Sequence, residues 1–211
     1  MGATYSEMLF EEYCQANHIV CTRVSASSKR SPDFRIQMGQ ALVVCEVKLI
    51  DMNESERKLL AAVNTGTPTS FYVINRVRSK LKDVSAQLKD AALAGNPTMV
   101  VLYNNSPVYD YTGHPEILQA MFGQKSLTVT FSASQESGLG VSPPFFGSNR
   151  GLGPERNTSV SVVAVLERNS AGQIRLRVYH NPHGKVPLDP AVFSEVAAVQ
   201  PVMLDTQDVE L

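Results

Sequence analysis

Pro32-Asp33 and, after twelve intervening residues, Glu46-Val47-Lys48 place two carboxyl groups and one amine at a spacing that a hairpin would bring together. Two carboxylates can hold a hard divalent cation, which polarises a phosphoryl group and lowers the pKa of a bound water. A neighbouring lysine can orient that water or offset the extra negative charge of the transition state. The chemistry such a set would serve is hydrolysis of a phosphodiester. Pro-Asp followed at a suitable distance by acid, any residue, lysine arises by chance in roughly one chain in fifteen of this length. The weight of the motif therefore rests on the elements that carry it.

Thr4 to Asn17 has helical periodicity, with Phe10, Cys14 and His18 on one side, Leu9, Tyr13 and Ala16 on the next, and Thr4 or Ser6 as cap. Ile19 to Val24 is rich in β-branched residues and predicts a strand. Asp33 to Gln37 and Ala41 to Ile50 read as two strands joined around Met38-Gly39-Gln40, whose glycine suits a hairpin. Alternate strand residues share a face, so Glu46 and Lys48 point the same way, with Val43, Val44, Cys45, Val47 and Leu49 packed around them. Charges inside so apolar a strand need a reason, because leaving them buried and unpaired is costly.

Arg57 to Val63 reads as a helical turn and Asn64 to Pro68 as a mobile loop. Asn75 to Ala94 is the clearest helix: Val77, Leu81, Val84, Leu88 and Ala91 repeat at helical spacing, and Gly95-Asn96-Pro97 stops it. Thr98 to Tyr103 is the kind of apolar strand buried on both faces of a sheet. A short helix over Pro115–Phe122 and a strand over Leu127–Phe131 follow, then the aperiodic Ser134–Asn157. Val160–Arg168 and Ile174–Tyr179 form a hairpin about Asn169-Ser170-Ala171-Gly172. This order predicts a single α/β (α+β) domain over residues 1–211, with a central mixed sheet flanked by helices and an extra C-terminal β-hairpin.

The net charge of −1 argues against a protein built mainly to coat nucleic acid. The distribution is uneven, however: Thr22 to Lys89 holds 12 Lys/Arg against 6 Asp/Glu, with acidic segments on either side. No apolar run approaches the roughly 20 residues of a membrane span. The first residues, Met-Gly-Ala-Thr-Tyr-Ser-Glu, have neither the basic nor the apolar stretch of a secretory leader, so a cytoplasmic protein is expected. Cys14, Cys21 and Cys45 form no CxxC pair and each lies in an apolar stretch, which favours reduced, buried thiols.

Asp33, Glu46 and Lys48, with the preceding helix and the following helix and buried strand, resemble the PD-(D/E)xK nuclease superfamily, the restriction-endonuclease-like fold. The resemblance covers roughly residues 4–104, leaving 105–211 as an elaboration. It implies that Asp33 and Glu46 bind Mg²⁺ or Mn²⁺, with the backbone carbonyl of Val47 as a further ligand, and that Lys48 positions or activates the attacking water. Many members carry an acid in the first helix; Glu7 matches, with Glu11 second. Some carry a glutamine on the later helix; Gln87 matches, although Ala91 stands where some subgroups have a tyrosine. The implied substrate is nucleic acid, DNA ahead of RNA, and cutting both strands would suit a homodimer. The alternative is a module that keeps this scaffold to bind nucleic acid or a protein, without catalysis. In a plainer reading still, Asp33 opens a turn and Glu46 and Lys48 form a surface ion pair on an edge strand.

Lys29 and Arg30, in a loop with Ser25, Ser27 and Ser28, are candidates for gripping phosphates. Lys80 is another, among Arg76, Arg78, Lys82 and Lys89 on the long helix, where a solvated face explains the charges equally well. Phe145, Phe146, Asn149 and Arg150 could stack on or wedge between bases, or simply pack their loop. His180-Asn181-Pro182-His183 has a weak metal-like spacing that a strand-ending turn explains better.

Overall fold

The computed structural model describes residues 3–25, 31–65, 75–130, 140–141 and 145–200. Helix α1 (Tyr5–Ala16) is started by a capping box, in which the Thr4 side chain accepts from the Glu7 backbone while the Glu7 side chain accepts from Thr4 N–H. It buries Leu9, Phe10, Tyr13 and Cys14, the stripe its periodicity predicts. Strands β1 (Cys21–Arg23), β2 (Phe34–Met38) and β3 (Ala41–Ile50) follow as an antiparallel run, with Gly39 at φ 57° making the tight β2–β3 turn. Helices α2 (Glu54–Asn64) and α3 (Arg76–Leu93) lead to β4 (Thr98–Asn104), which runs parallel to β3.

After α4 (His114–Phe122) come four two-residue strands: β5 (Lys125–Ser126), β6 (Val129–Thr130), β7 (Gly140–Val141) and β8 (Phe145–Phe146). β5 pairs with β8, and β6 with β7, outside the main sheet. Of the strand expected over Leu127–Phe131 only Val129–Thr130 is extended among the described residues, and Phe131 lies outside them. The alternating apolar residues, Leu127 and Val129, are exposed and have no core to pack on. Strands β9 (Val162–Arg168), β10 (Ile174–His180) and β11 (Ala198–Gln200) complete a seven-stranded mixed sheet in the order β1-β2-β3-β4-β9-β10-β11. The C-terminal hairpin is thus no appendage: β9 lies parallel against β4 in the middle of the sheet.

Both faces of the sheet are covered. On one, α1 and Phe193 of a short 3-10 turn (Pro190–Phe193) pack on Val43, Cys45, Val47, Val101 and Ala164. On the other, Val77, Leu81, Val84 and Leu88 of α3 and Ile117 and Met121 of α4 pack on Val44, Ile50, Val100, Leu102 and Val163. Central strands β4 and β9 are buried on both sides over five residues each, which is why they read as unbroken apolar runs. No helix among the described residues is long and apolar enough to cross a membrane.

Helix α2 begins earlier than its apolar pattern suggested because Asn53 and Glu56 form a second capping box. The Glu56 side chain is buried and accepts from Asn53 N–H, from Ser106 Oγ at 2.6 Å and from Arg76 Nη1 at 3.1 Å. Burial by itself would raise its pKa, but these donors hold the carboxyl below its ordinary value. Glu56→Ala would strip three donors of their acceptor. Urea denaturation is expected to show a loss of about 2–4 kcal/mol.

Candidate functional site

Strand β3 builds the site by alternation. Val43, Cys45 and Val47 face α1, so Glu46 and Lys48 face α3. The peptide groups alternate as well. Val44 N–H donates to Pro97 O and Ile50 O accepts from Asn105 N, so even-numbered residues of β3 bond toward β4. Odd-numbered ones bond toward β2, as Asp33 N–H to Cys45 O shows at 3.1 Å. The regular β2–β3 ladder starts at the Phe34–Cys45 pair. Beyond it, the Asp33 carboxylate takes the place of a strand partner, accepting from Val47 N–H at 2.8 Å. The Val47 carbonyl points to this same edge, next to Asp33.

Glu46 is 1% exposed, and the two oxygens of its carboxylate have different surroundings. Oε1 accepts from Lys48 Nζ at 2.5 Å, whereas Oε2 has no hydrogen-bond partner among the described residues. The amide of half-buried Gln87 on α3 approaches this carboxylate and favours its charged form without closing a hydrogen bond on Oε2. Burial wins: the Glu46 carboxyl is pushed up to about 7, with Lys48 opposing the rise and the nearby Asp33 adding to it. The Asp33 carboxyl is also raised, first by burial and further by Glu7, against the Val47 N–H, Lys48 and Arg23.

Two carboxylates whose charges oppose one another, one with a bare buried oxygen, suit a cation better than they suit each other. Among the described residues no three His, Cys, Asp or Glu side chains gather into a complete ligand set. Asp33, Glu46 and the Val47 carbonyl therefore offer a sparse one. That matches Mg²⁺, which keeps several waters and is commonly held by one or two carboxylates together with substrate phosphates.

The remaining expected residues divide. Gln87 reaches the site. Glu7 lies close enough for Asp33 to feel its charge, but it is committed to capping α1 and to an ion pair with Arg23 Nη1 at 2.5 Å. Glu11 pairs with the same guanidinium at 3.1 Å. Sequence reasoning did not single out Arg23, which also lies 4.7 Å over the Phe34 ring. Its signal was available: a cation in the strand next to the one led by Asp33. Lys80 is half-buried on α3, seven residues before Gln87 and hence on the same flank, with no ion-pair partner among the described residues. Lys29 and Arg30 lie outside the described residues.

No family model, curated protein or solved structure matches this chain. Phe146 packs its ring 5.5 Å from that of Phe122. Asn181 donates to Val160 O at 2.7 Å and accepts from His183 N–H, the turn that follows β10.

Proposed function

We propose that this chain is a metal-dependent nuclease of the PD-(D/E)xK kind, hydrolysing phosphodiester bonds in DNA. The observation that carries the reading is the unpartnered Oε2 of Glu46, held in the apolar sheet beside Asp33 while Lys48 and Gln87 attend the same carboxylate. The order of helix, hairpin, helix and buried parallel strand supports it. Asp33, Glu46 and the Val47 carbonyl would hold Mg²⁺ or Mn²⁺, which supplies charge neutralisation and an acidified water when bound. Lys48 then has two jobs: it offsets the charge of Glu46, and it presents an ammonium to the phosphate as negative charge builds. Gln87 orients the Glu46 carboxylate from the helix side.

The test is incubation of plasmid, linear and single-stranded DNA with Mg²⁺ or Mn²⁺. Wild type should cut at least one, and Asp33→Ala should lose about a thousandfold in rate, at the upper end of what removing one charge-stabilising group costs. Equal persistence of every substrate with both proteins overturns the reading. A second reading, a binding module without catalysis, draws on the close Lys48–Glu46 ion pair, which neutralises Glu46 without any ion. It predicts DNA or protein binding that survives Lys48→Ala and needs no cation.

A further inference from the structure

Helix α3 has a second functional flank. Ser85 hydrogen-bonds Ser159 at 3.0 Å, ahead of β9, and Arg78 and Lys82 stand seven and three residues before Ser85, on its side of the helix. Gln87, two residues after Ser85, points the other way, toward Glu46. On the Ser85 side a cavity of about 590 Å³ opens between the first turns of α3 and segment 149–157. Arg78, Lys82 and Arg156 line it with Arg150, and no carboxylate does so among the described residues.

Arg78 and Arg156 are oriented by the backbone rather than by a carboxylate among the described residues. Arg78 Nη1 donates to Asn149 O and Arg156 Nη1 to Arg150 O, both at 3.1 Å. Neither these two nor Lys82 pairs with a carboxylate among the described residues. Arg78 and Lys82 are also one turn apart, the like-charge spacing that disfavours a helix. Elsewhere the chain uses the same spacing for an opposite-charge pair, Glu54 with Lys58.

The facing wall is fixed in place. Gly151 N–H donates to Ala120 O at 3.0 Å, Leu152 N–H to Met121 O at 2.7 Å, and Asn157 Nδ2 to Gly151 O at 2.7 Å. A Cβ at position 151 would fall 2.3 Å from Ala120 O, so only glycine permits this approach to α4. Converging cations on a wall held this way are preorganised for a bulky anion and gain by its arrival.

We propose that this cavity binds the phosphate backbone of a nucleic-acid strand, gripping it away from the Asp33–Glu46 site. The identity of the anion rests on the nuclease reading; the presence of an anion site does not. Fluorescence anisotropy of labelled single-stranded and duplex DNA, in EDTA and over a range of KCl, measures binding without hydrolysis. Lys82→Glu and the double variant Arg78→Glu/Lys82→Glu should bind at least about tenfold more weakly. Their salt dependence on duplex should be shallower by roughly 0.9 per lost phosphate contact. Lys82 is exposed, so the single variant keeps its fold, which its melting curve checks. Unchanged affinity and slope in both variants overturn the proposal. So does loss of inorganic pyrophosphate binding with DNA binding intact, which would mark a pocket for a small phosphorylated ligand. Wild type that grips DNA through this cavity yet cuts nothing would sink the catalytic reading alone.

Discussion

Glu46→Gln is expected to melt higher than wild type at pH 8 while losing all metal-dependent hydrolysis. The carboxyl sits at about 7 when folded, against 4.5 ordinarily, so the folded state binds its proton more tightly than the unfolded state does. Its contribution to stability is complete below the ordinary value and is lost as pH rises through the folded one. At pH 8 the ionised side chain costs about 3 kcal/mol relative to its protonated form. Glutamine fills the same space without charge, and Lys48, whose side chain is 25% exposed, can turn to water. A net gain of about 1–2 kcal/mol, or about 2–6 °C in Tm, should result. At pH 4.5 the gain should shrink toward zero. Millimolar Mg²⁺ should raise the wild-type Tm and leave that of the variant unmoved, because a ligand stabilises only the state that binds it. A variant that melts lower at pH 8 would mean that the carboxylate anchors the fold, and the metal-site reading would fail.

Lys48→Ala should do the reverse to stability and equal harm to chemistry. Without the ammonium, the Glu46 carboxylate is left 1% exposed with neither oxygen in a hydrogen bond. Breaking such a pair from one side is costly because the other charge stays behind. Urea denaturation at pH 8 should show a loss of about 2–4 kcal/mol, somewhat below that of a fully enclosed pair. Lys48 holds the Glu46 pKa down, so in the variant the group protonates still more readily. The destabilisation should therefore fade by pH 5, where the carboxyl is neutral in the fold. Cleavage of DNA under Mn²⁺ should fall by about 10²–10³. An equal stability loss at both pH values would show that Lys48 acts through packing of its aliphatic stem rather than through its charge.

Opposite signs in these two measurements would distinguish a functional pair from a structural one. Glu56 provides the internal contrast. It is as buried as Glu46, but every donor around it is aimed at its oxygens, and its pKa falls instead of rising. One buried acid is fully solvated by the protein; the other keeps an oxygen in reserve.

Local sequence determined the hairpin led by Asp33, the helix over Arg76–Leu93, the apolar strand over Thr98–Asn104 and the shared face of Glu46 and Lys48. These follow from periods of 3.6 and 2 and from a glycine turn, all of them properties of neighbouring residues. Tertiary structure alone decided that β9 enters the sheet beside β4, since strand order depends on contacts more than fifty residues apart. It also decided that α3 seals Glu46 from water, that Arg23 engages both Glu7 and Glu11, and that Arg156 joins Arg78 and Lys82 around one cavity. Periodicity states which way a side chain points, whereas burial, charge partners and pKa depend on what the rest of the chain docks above it.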